Sequence, residues 1–94
     1  MKMAESIIQT EKECFFCKSQ VWLEDHHIFG GANRSRSEKY GLKVWLCHYC
    51  HNEPPRGVHH NRTNMDKLRA IGQRAFQEKY PDKDFVFEFG RNFL

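Results

Sequence analysis

Nowhere does the chain carry an apolar run of the roughly 20 residues that a membrane-spanning helix needs. No apolar segment follows Met1 either, where positions 1–18 hold three lysines and three glutamates. These absences predict neither a membrane span nor a signal peptide, and with them a reducing, cytoplasmic setting in which disulfides do not persist. There is no internal repeat, no low-complexity tract and no linker long enough to separate domains, so one domain over 1–94 is expected. Histidine is missing from the last third altogether, because its six copies all fall between His26 and His60.

A domain of 94 residues buries a modest core that gives only a few kcal/mol of net stability, so a covalent or metal staple is expected. The four cysteines supply one. Cys14/Cys17 and Cys47/Cys50 form two Cys-x-x-Cys pairs with 29 residues between their inner members, a metal pattern rather than a disulfide framework. A knuckle Cys14-Phe15-Phe16-Cys17, then a hairpin, then a second pair on the first turn of a helix is the layout of a treble-clef site, with four thiolates closing a tetrahedral structural Zn2+ centre. Four buried free cysteines would be the alternative, at the cost of making the paired spacing a coincidence. Four sulfur ligands leave no open position on the metal, so any catalysis must come from elsewhere.

Gln20 to Phe29 is rich in aromatic and β-branched residues and reads as a strand, ended by Gly30-Gly31-Ala32-Asn33. Asn33 to Gly41 is polar and basic and reads as the exposed loop of a long hairpin, which returns through Leu42-Lys43-Val44-Trp45-Leu46. Cys47 then opens a helix that Pro54 and Pro55 keep short. Thr63-Asn64-Met65-Asp66 resembles a capping box, and Met65, Leu68, Ile71, Gly72, Ala75, Phe76 and Tyr80 follow at helical spacing to an end near Pro81. The stretch Phe85 to Leu94 reads as a short helix capped by Gly90 in preference to a strand, its phenylalanines packing on the long helix. Trp22 and Trp45 read as core. The fold class expected is therefore small α+β, a β-hairpin plus helix over about 14–61 with helices over about 63–94 as a C-terminal extension.

The net charge of +3 is unevenly spread. From Asp25 to Arg62 six basic residues face three acids, in the same stretch that holds every histidine. This excess suggests a polyanionic partner, with Arg34, Arg36, Lys39, Arg56 and Arg62 suited to phosphate contacts that give affinity without base specificity. A solvated basic loop is the plainer alternative. His26 and His27 end the first strand, and His51 directly follows Cys50 on the helix that the zinc would hold against that strand. A zinc so placed pins the two parts of a second site.

The run Asp25-His26-His27-Ile28-Phe29, the glycines after it, and the downstream Leu46-Cys47-His48-Tyr49-Cys50-His51-Asn52 resemble HNH endonucleases of the zinc-containing ββα-metal group. The likeness spans about Cys14 to Asn61 and is greatest to the small stand-alone HNH proteins of phages and prophages. It implies a zinc-stapled ββα-metal fold and a metal-dependent DNA endonuclease in the cytoplasm of a bacterial or phage-infected cell. It further implies that His27, immediately before Ile28, is the general base, and that His26 and His51 fall on the two metal-ligand positions. A register with Asp25 as ligand and His26 as base competes. His59, in the run Arg56-Gly57-Val58-His59-His60-Asn61, is a third candidate ligand or else a surface or phosphate-contacting residue. The departure is the family's hairpin Asn: nine residues before His51 stands Leu42, for which Asn33 or Asn52 would have to substitute.

In the implied chemistry His27 deprotonates a water that attacks a DNA phosphorus in line, leaving 5′ phosphate and 3′ hydroxyl ends. The catalytic divalent metal is Mg2+, Mn2+, Ni2+, Co2+ or Zn2+, since a site rich in imidazole is softer than a magnesium site built of carboxylates. One such site cuts one strand, so the protein would nick, act as a homodimer or join a phage assembly. Two rivals remain open: a non-catalytic zinc-binding treble-clef module that binds DNA or RNA, and a zinc-dependent adaptor that contacts a protein through exposed aromatics.

Overall fold

In the computed structural model, which describes residues 5–94, two five-residue strands pair antiparallel: β1, Leu23–His27, and β2, Lys43–Cys47. The register sets Leu23 opposite Cys47, Asp25 opposite Trp45 and His27 opposite Lys43. β1 is shorter than its β-prone sequence predicts. Trp22 sits at φ 56, a left-handed conformation that a bulky side chain rarely adopts, and this breaks the extended run before Leu23.

The largest correction concerns the connection between the strands. Positions 33–41 are not an exposed loop: a 3-10 turn, Gly31–Asn33, leads into a helix, α1, Arg34–Tyr40. Polar composition hides this helix because its inward face rests on only two residues. Ser37 is fully buried, its hydroxyl donating to the Phe29 carbonyl (2.8 Å) while accepting from the Phe29 N–H (3.0 Å). Tyr40, three positions on, packs its ring on Phe76 and Tyr80 and donates its hydroxyl to Glu88 (2.6 Å). Gly41 ends α1 at φ 70, where a Cβ would strike the Glu5 carbonyl, so only glycine closes this turn.

A four-residue helix, α2, His48–His51, begins directly after Cys47 and is as short as the prolines require. The long helix α3 covers Arg62–Lys79 and starts earlier than the Thr63 motif predicts. Its cap is Asn61, whose side-chain oxygen accepts from the Asn64 N–H (2.9 Å), while Asp66 pairs instead with Arg62 (3.0 Å). α4, Phe85–Phe89, is capped by Asp84 at its start and by Gly90 at φ 81 at its end. Its Phe85 and Phe89 pack on Phe29 and Phe76.

The core joins Ile28, Phe29, Leu42 and Leu46 of the hairpin to Leu68, Phe76, Phe85 and Phe89 of the C-terminal helices. α3 approaches the end of β1 closely at Gly72, where a Cβ would lie 3.0 Å from the Phe29 ring and 3.1 Å from Ile28 Cγ2. Two aromatic assignments need correcting. Trp22 is 67 % exposed and Phe87 82 % exposed, so neither belongs to the core; Trp45 is half-buried under the Lys12 ammonium. The result is a small α+β domain in which the hairpin, α2 and the start of α3 meet around the histidines.

Candidate metal centres and active site

Cys14 to Lys18 makes a tight knuckle. Lys18 stands at φ 67 and its N–H donates to the Cys14 carbonyl (2.9 Å), while the Phe15 N–H donates to the Trp45 carbonyl (2.8 Å) and fastens the knuckle to β2. Cys47 and Cys50 face it from the end of β2 and from α2. The four sulfurs lie within 4.8 Å of one another, with Cys17 and Cys47 Sγ 3.5 Å apart. A disulfide would need about 2.05 Å. A tetrahedron with metal–sulfur bonds of about 2.3 Å has edges near 3.8 Å, so the donor set suits a four-coordinate ion. Burial alone would raise the Cys14 thiol, but the N–H groups of Cys17, Cys47 and Phe16 bring it down to about 7, whereas burial and the neighbouring sulfurs push Cys50 up, so without a cation the cluster does not hold four thiolates. The four cysteines can thus hold a structural metal ion.

A strand alternates its side chains between two faces, and that alternation separates the two adjacent histidines. His26, 3 % exposed, turns toward α2 and the loop before α3. There His51 Nε2 lies 3.2 Å from His26 Nδ1 and 3.0 Å from His59 Nε2. His51 Nδ1 donates to Glu24 Oε1 (2.6 Å), which leaves a lone pair on His51 Nε2. Glu24, two residues before His26 on the same strand face, is itself held by His48 (3.2 Å) and Asn52 (3.2 Å). Its carboxyl is lowered below the usual range, chiefly by the bond to His51.

Hydrogen bonding alone does not satisfy this cluster. If His26 Nδ1 carries the proton and donates to His51, His26 Nε2 is a buried lone pair without a partner; if Nε2 carries it, that N–H is buried without an acceptor and two lone pairs oppose each other. A cation at the focus of His26 Nδ1 and the Nε2 atoms of His51 and His59 turns the opposed lone pairs into ligands, with the His26 Nε2–H still short of an acceptor. Protonation is the other remedy, and it is disfavoured: burial, then His51 and His59, pushes His26 down to about 3, and burial lowers His59 as well. The three imidazoles therefore fit a metal ion that takes neutral nitrogen ligands, with Glu24 as the carboxylate that fixes one of them.

His27 faces the other way. Its Nε2–H donates to Glu38 Oε1 on α1 (2.9 Å), and the buried Lys43 ammonium donates to both Glu38 oxygens (3.0 Å each) and lies 3.8 Å from Asp25. Asp25, His27 and Glu38 form a separate cluster within 4.8 Å. Asp25 and Lys43 also line a cleft of about 460 Å³ with Ser6, Gln9 and Trp45. Of the residues singled out from the sequence, His26, His51 and His59 meet in one cluster, whereas His27 and Asp25 lie across the strand from it. Neither proposed substitute for the hairpin Asn touches His27: the Asn33 side chain donates to the Phe89 carbonyl (3.0 Å), and Asn52 lies against Glu24 and His51.

Sequence reasoning missed Glu24, Glu38 and Lys43. Period-two spacing from His26 could have found Glu24. Glu38 was hidden in a segment read as loop. Of the basic residues, Arg34, Arg36 and Lys39 are exposed on α1, Arg56 lies over the Tyr49 ring at 5.9 Å, and Arg62 pairs with Asp66. No family model matches the chain, and neither a curated protein nor a solved structure matches it.

Proposed function

We propose that this chain is a metal-dependent endonuclease of the HNH type, a zinc-stapled treble-clef domain of the ββα-metal kind that hydrolyses DNA phosphodiester bonds. The observation that carries the reading is the convergence of His26, His51 and His59 beside a hairpin end that the four cysteines can fasten. A treble-clef module that only binds nucleic acid needs the cysteines but has no use for three imidazoles, one buried, one half-buried and one exposed, brought together at one point.

In this reading Zn2+ occupies the four cysteines, and His26, His51 and His59 hold the catalytic divalent metal. When bound, that ion neutralises charge growing on the phosphate and its leaving oxygen. Glu24 fixes His51 in the tautomer that offers Nε2. His27 is the general base: with its Nε2–H given to Glu38, its lone pair is on Nδ1, where it takes a proton from water. The water oxygen forms its bond to phosphorus as the bond to the 3′ oxygen breaks, and that oxygen takes a proton from solvent. Because His26 and His27 face opposite sides of β1, the phosphate must lie across the strand end, where the chain leaves His27 for Ile28 and Gly30. Arg34, Arg36, Lys39 and Arg56 serve phosphates farther along the DNA, and Arg62 serves one nearer the site. One site of this kind cuts one strand, so double-strand cleavage requires a second copy or an assembly partner.

The test is plasmid cleavage with added Mg2+, Mn2+ or Ni2+, comparing the wild type with His27→Ala at matched fold and zinc content. Nicking by the wild type and not by the variant is expected. Equal inactivity of both proteins with DNA still bound would favour the binding module.

A further inference from the structure

Arg69, on the second turn of α3, occupies an unusual setting. Its Nε–H is buried and meets no acceptor, and among the described residues its guanidinium forms no hydrogen bond or ion pair. The nearest acid along the helix, Asp66, is taken by Arg62. Its contact is the face of the Phe93 ring, 5.5 Å away, which positions a cation without neutralising it. Burial lowers its proton affinity, the Asp66 charge offsets part of that, and Arg91 and Arg62 add like charge nearby.

The same side chain lines an open cleft of about 490 Å³ with Arg62, His60, Asn61, Met65 and His59. His59 is shared with the three-imidazole cluster, so this cleft opens directly beside the candidate catalytic metal. A buried donor without an acceptor is a standing cost, and once the side chain shifts toward the cleft its guanidinium edge offers Nε–H and one Nη–H in the fork that matches two oxygens of a phosphate. The missing counterpart is thus an anion with paired oxygens.

We infer that Arg69, with Arg62, forms a phosphate-binding site in the cleft beside His59. The phosphate group is the ligand chemistry, and its source on the nuclease reading, on which this part of the inference rests, is a DNA backbone phosphate next to the one that is cut.

The experiment uses the full chain with its cysteine-bound metal and no added divalent ion, so that binding is read without cleavage. Two probes are used: a short DNA duplex, and inorganic phosphate alone. In the wild type the Nε–H resonance of Arg69 is followed by NMR. With Arg69→Gln and Arg69→Lys, duplex binding is followed by fluorescence anisotropy across a range of salt. The expected result is a shift of the Arg69 resonance on adding duplex. Arg69→Gln should bind about tenfold more weakly on unrelated sequences alike, with a log–log salt slope shallower by about one. A shift with inorganic phosphate and none with duplex would support the phosphate site and give it a free anion as its ligand. An Arg69 resonance that neither probe moves would overturn the inference, as would unchanged affinity and slope in a folded Arg69→Gln. Should Arg69→Gln fail to fold for want of its contact with Phe93, the wild-type resonance and Arg69→Lys decide. In the plasmid assay with added divalent metal, cleavage by a protein whose Arg69 proves silent to both probes would sink this site alone; duplex held at Arg69 with no cleavage in that assay would sink the nuclease reading alone.

Discussion

His26 and His27 are neighbours in the chain but belong to different clusters: His26 Nδ1 lies 3.2 Å from His51 Nε2, and His27 Nε2 lies 2.9 Å from Glu38 Oε1 across the strand. One residue step in a strand reverses the face, so two roles carried by adjacent histidines must be served by two different sets of neighbours. Each set includes a carboxylate. Glu24 fixes His51 and Glu38 fixes His27.

Glu24→Gln should weaken the three-histidine metal site by about tenfold to hundredfold, since a carboxylate behind a ligating imidazole sets both its tautomer and its basicity. Titration of the chelator-treated protein with Co2+ or Zn2+, following the second equivalent of metal, reads this directly. Unchanged affinity would mean that Glu24 serves only the local fold. The cysteine site should load equally in both proteins.

Glu38 should act on the rate rather than on binding. Glu38→Gln keeps an oxygen that accepts the His27 N–H, whereas Glu38→Ala removes it and leaves the buried Lys43 with Asp25 at 3.8 Å as its nearest acid. Cleavage kinetics should show kcat reduced at least about tenfold in the alanine variant with KM little changed, and the glutamine variant in between. The alanine variant should also lose roughly 1–3 kcal/mol of stability, measured by urea unfolding, from the strain of a buried ammonium short of acceptors. Equal kcat in all three proteins would remove Glu38 from the chemistry and leave the role of His27 to the His27→Ala comparison.

If the four cysteines hold a metal as proposed, its removal should unfold the domain rather than merely silence it. The core is small, and the knuckle, β2 and α2 are joined through these four side chains. Treatment with a strong chelator, or Cys50→Ser, should abolish the cooperative unfolding transition seen by circular dichroism. A chelated protein that kept its transition would show that the cysteines act as ordinary core residues.

His26 makes stability depend on pH with a definite sign. Its folded pKa, near 3, lies below the ordinary 6.5, so the unfolded chain takes up a proton that the folded chain refuses. The contribution is fully present above about pH 6.5 and is lost as pH falls toward 3, with a slope of at most about 1.4 kcal/mol per pH unit. Urea midpoints measured near pH 7 and near pH 5, with the three-histidine site free of metal, should fall less for His26→Phe than for the wild type. Parallel losses in the two proteins would place the titration elsewhere.

The two hairpin strands, the short α2, the long α3 and the Gly90-capped α4 could be read from residue types alone, because Pro54, Pro55, Pro81 and the paired cysteines punctuate the chain locally. The helix α1 could not. Its burial depends on Ser37 and Tyr40 finding Phe29, Phe76 and Glu88, contacts up to 48 residues away that leave no periodic signal in seven mostly polar residues. The same gap concealed Glu38, the partner of His27.

The sequence by itself determined the donors: four cysteines in two tight pairs, and histidines confined to the stretch that those pairs enclose or adjoin. These are matters of residue type and short spacing, which chain connectivity preserves. Tertiary structure alone decided which donors share a centre. The alternation of β1 sent His26 to α2 and His27 to α1, the turn after Gly57 brought His59 to within 3.0 Å of His51, and α3 carried Arg69 into the same neighbourhood without an acid of its own. Such pairings depend on the crossing of elements far apart in sequence, and that crossing is set by how the core packs.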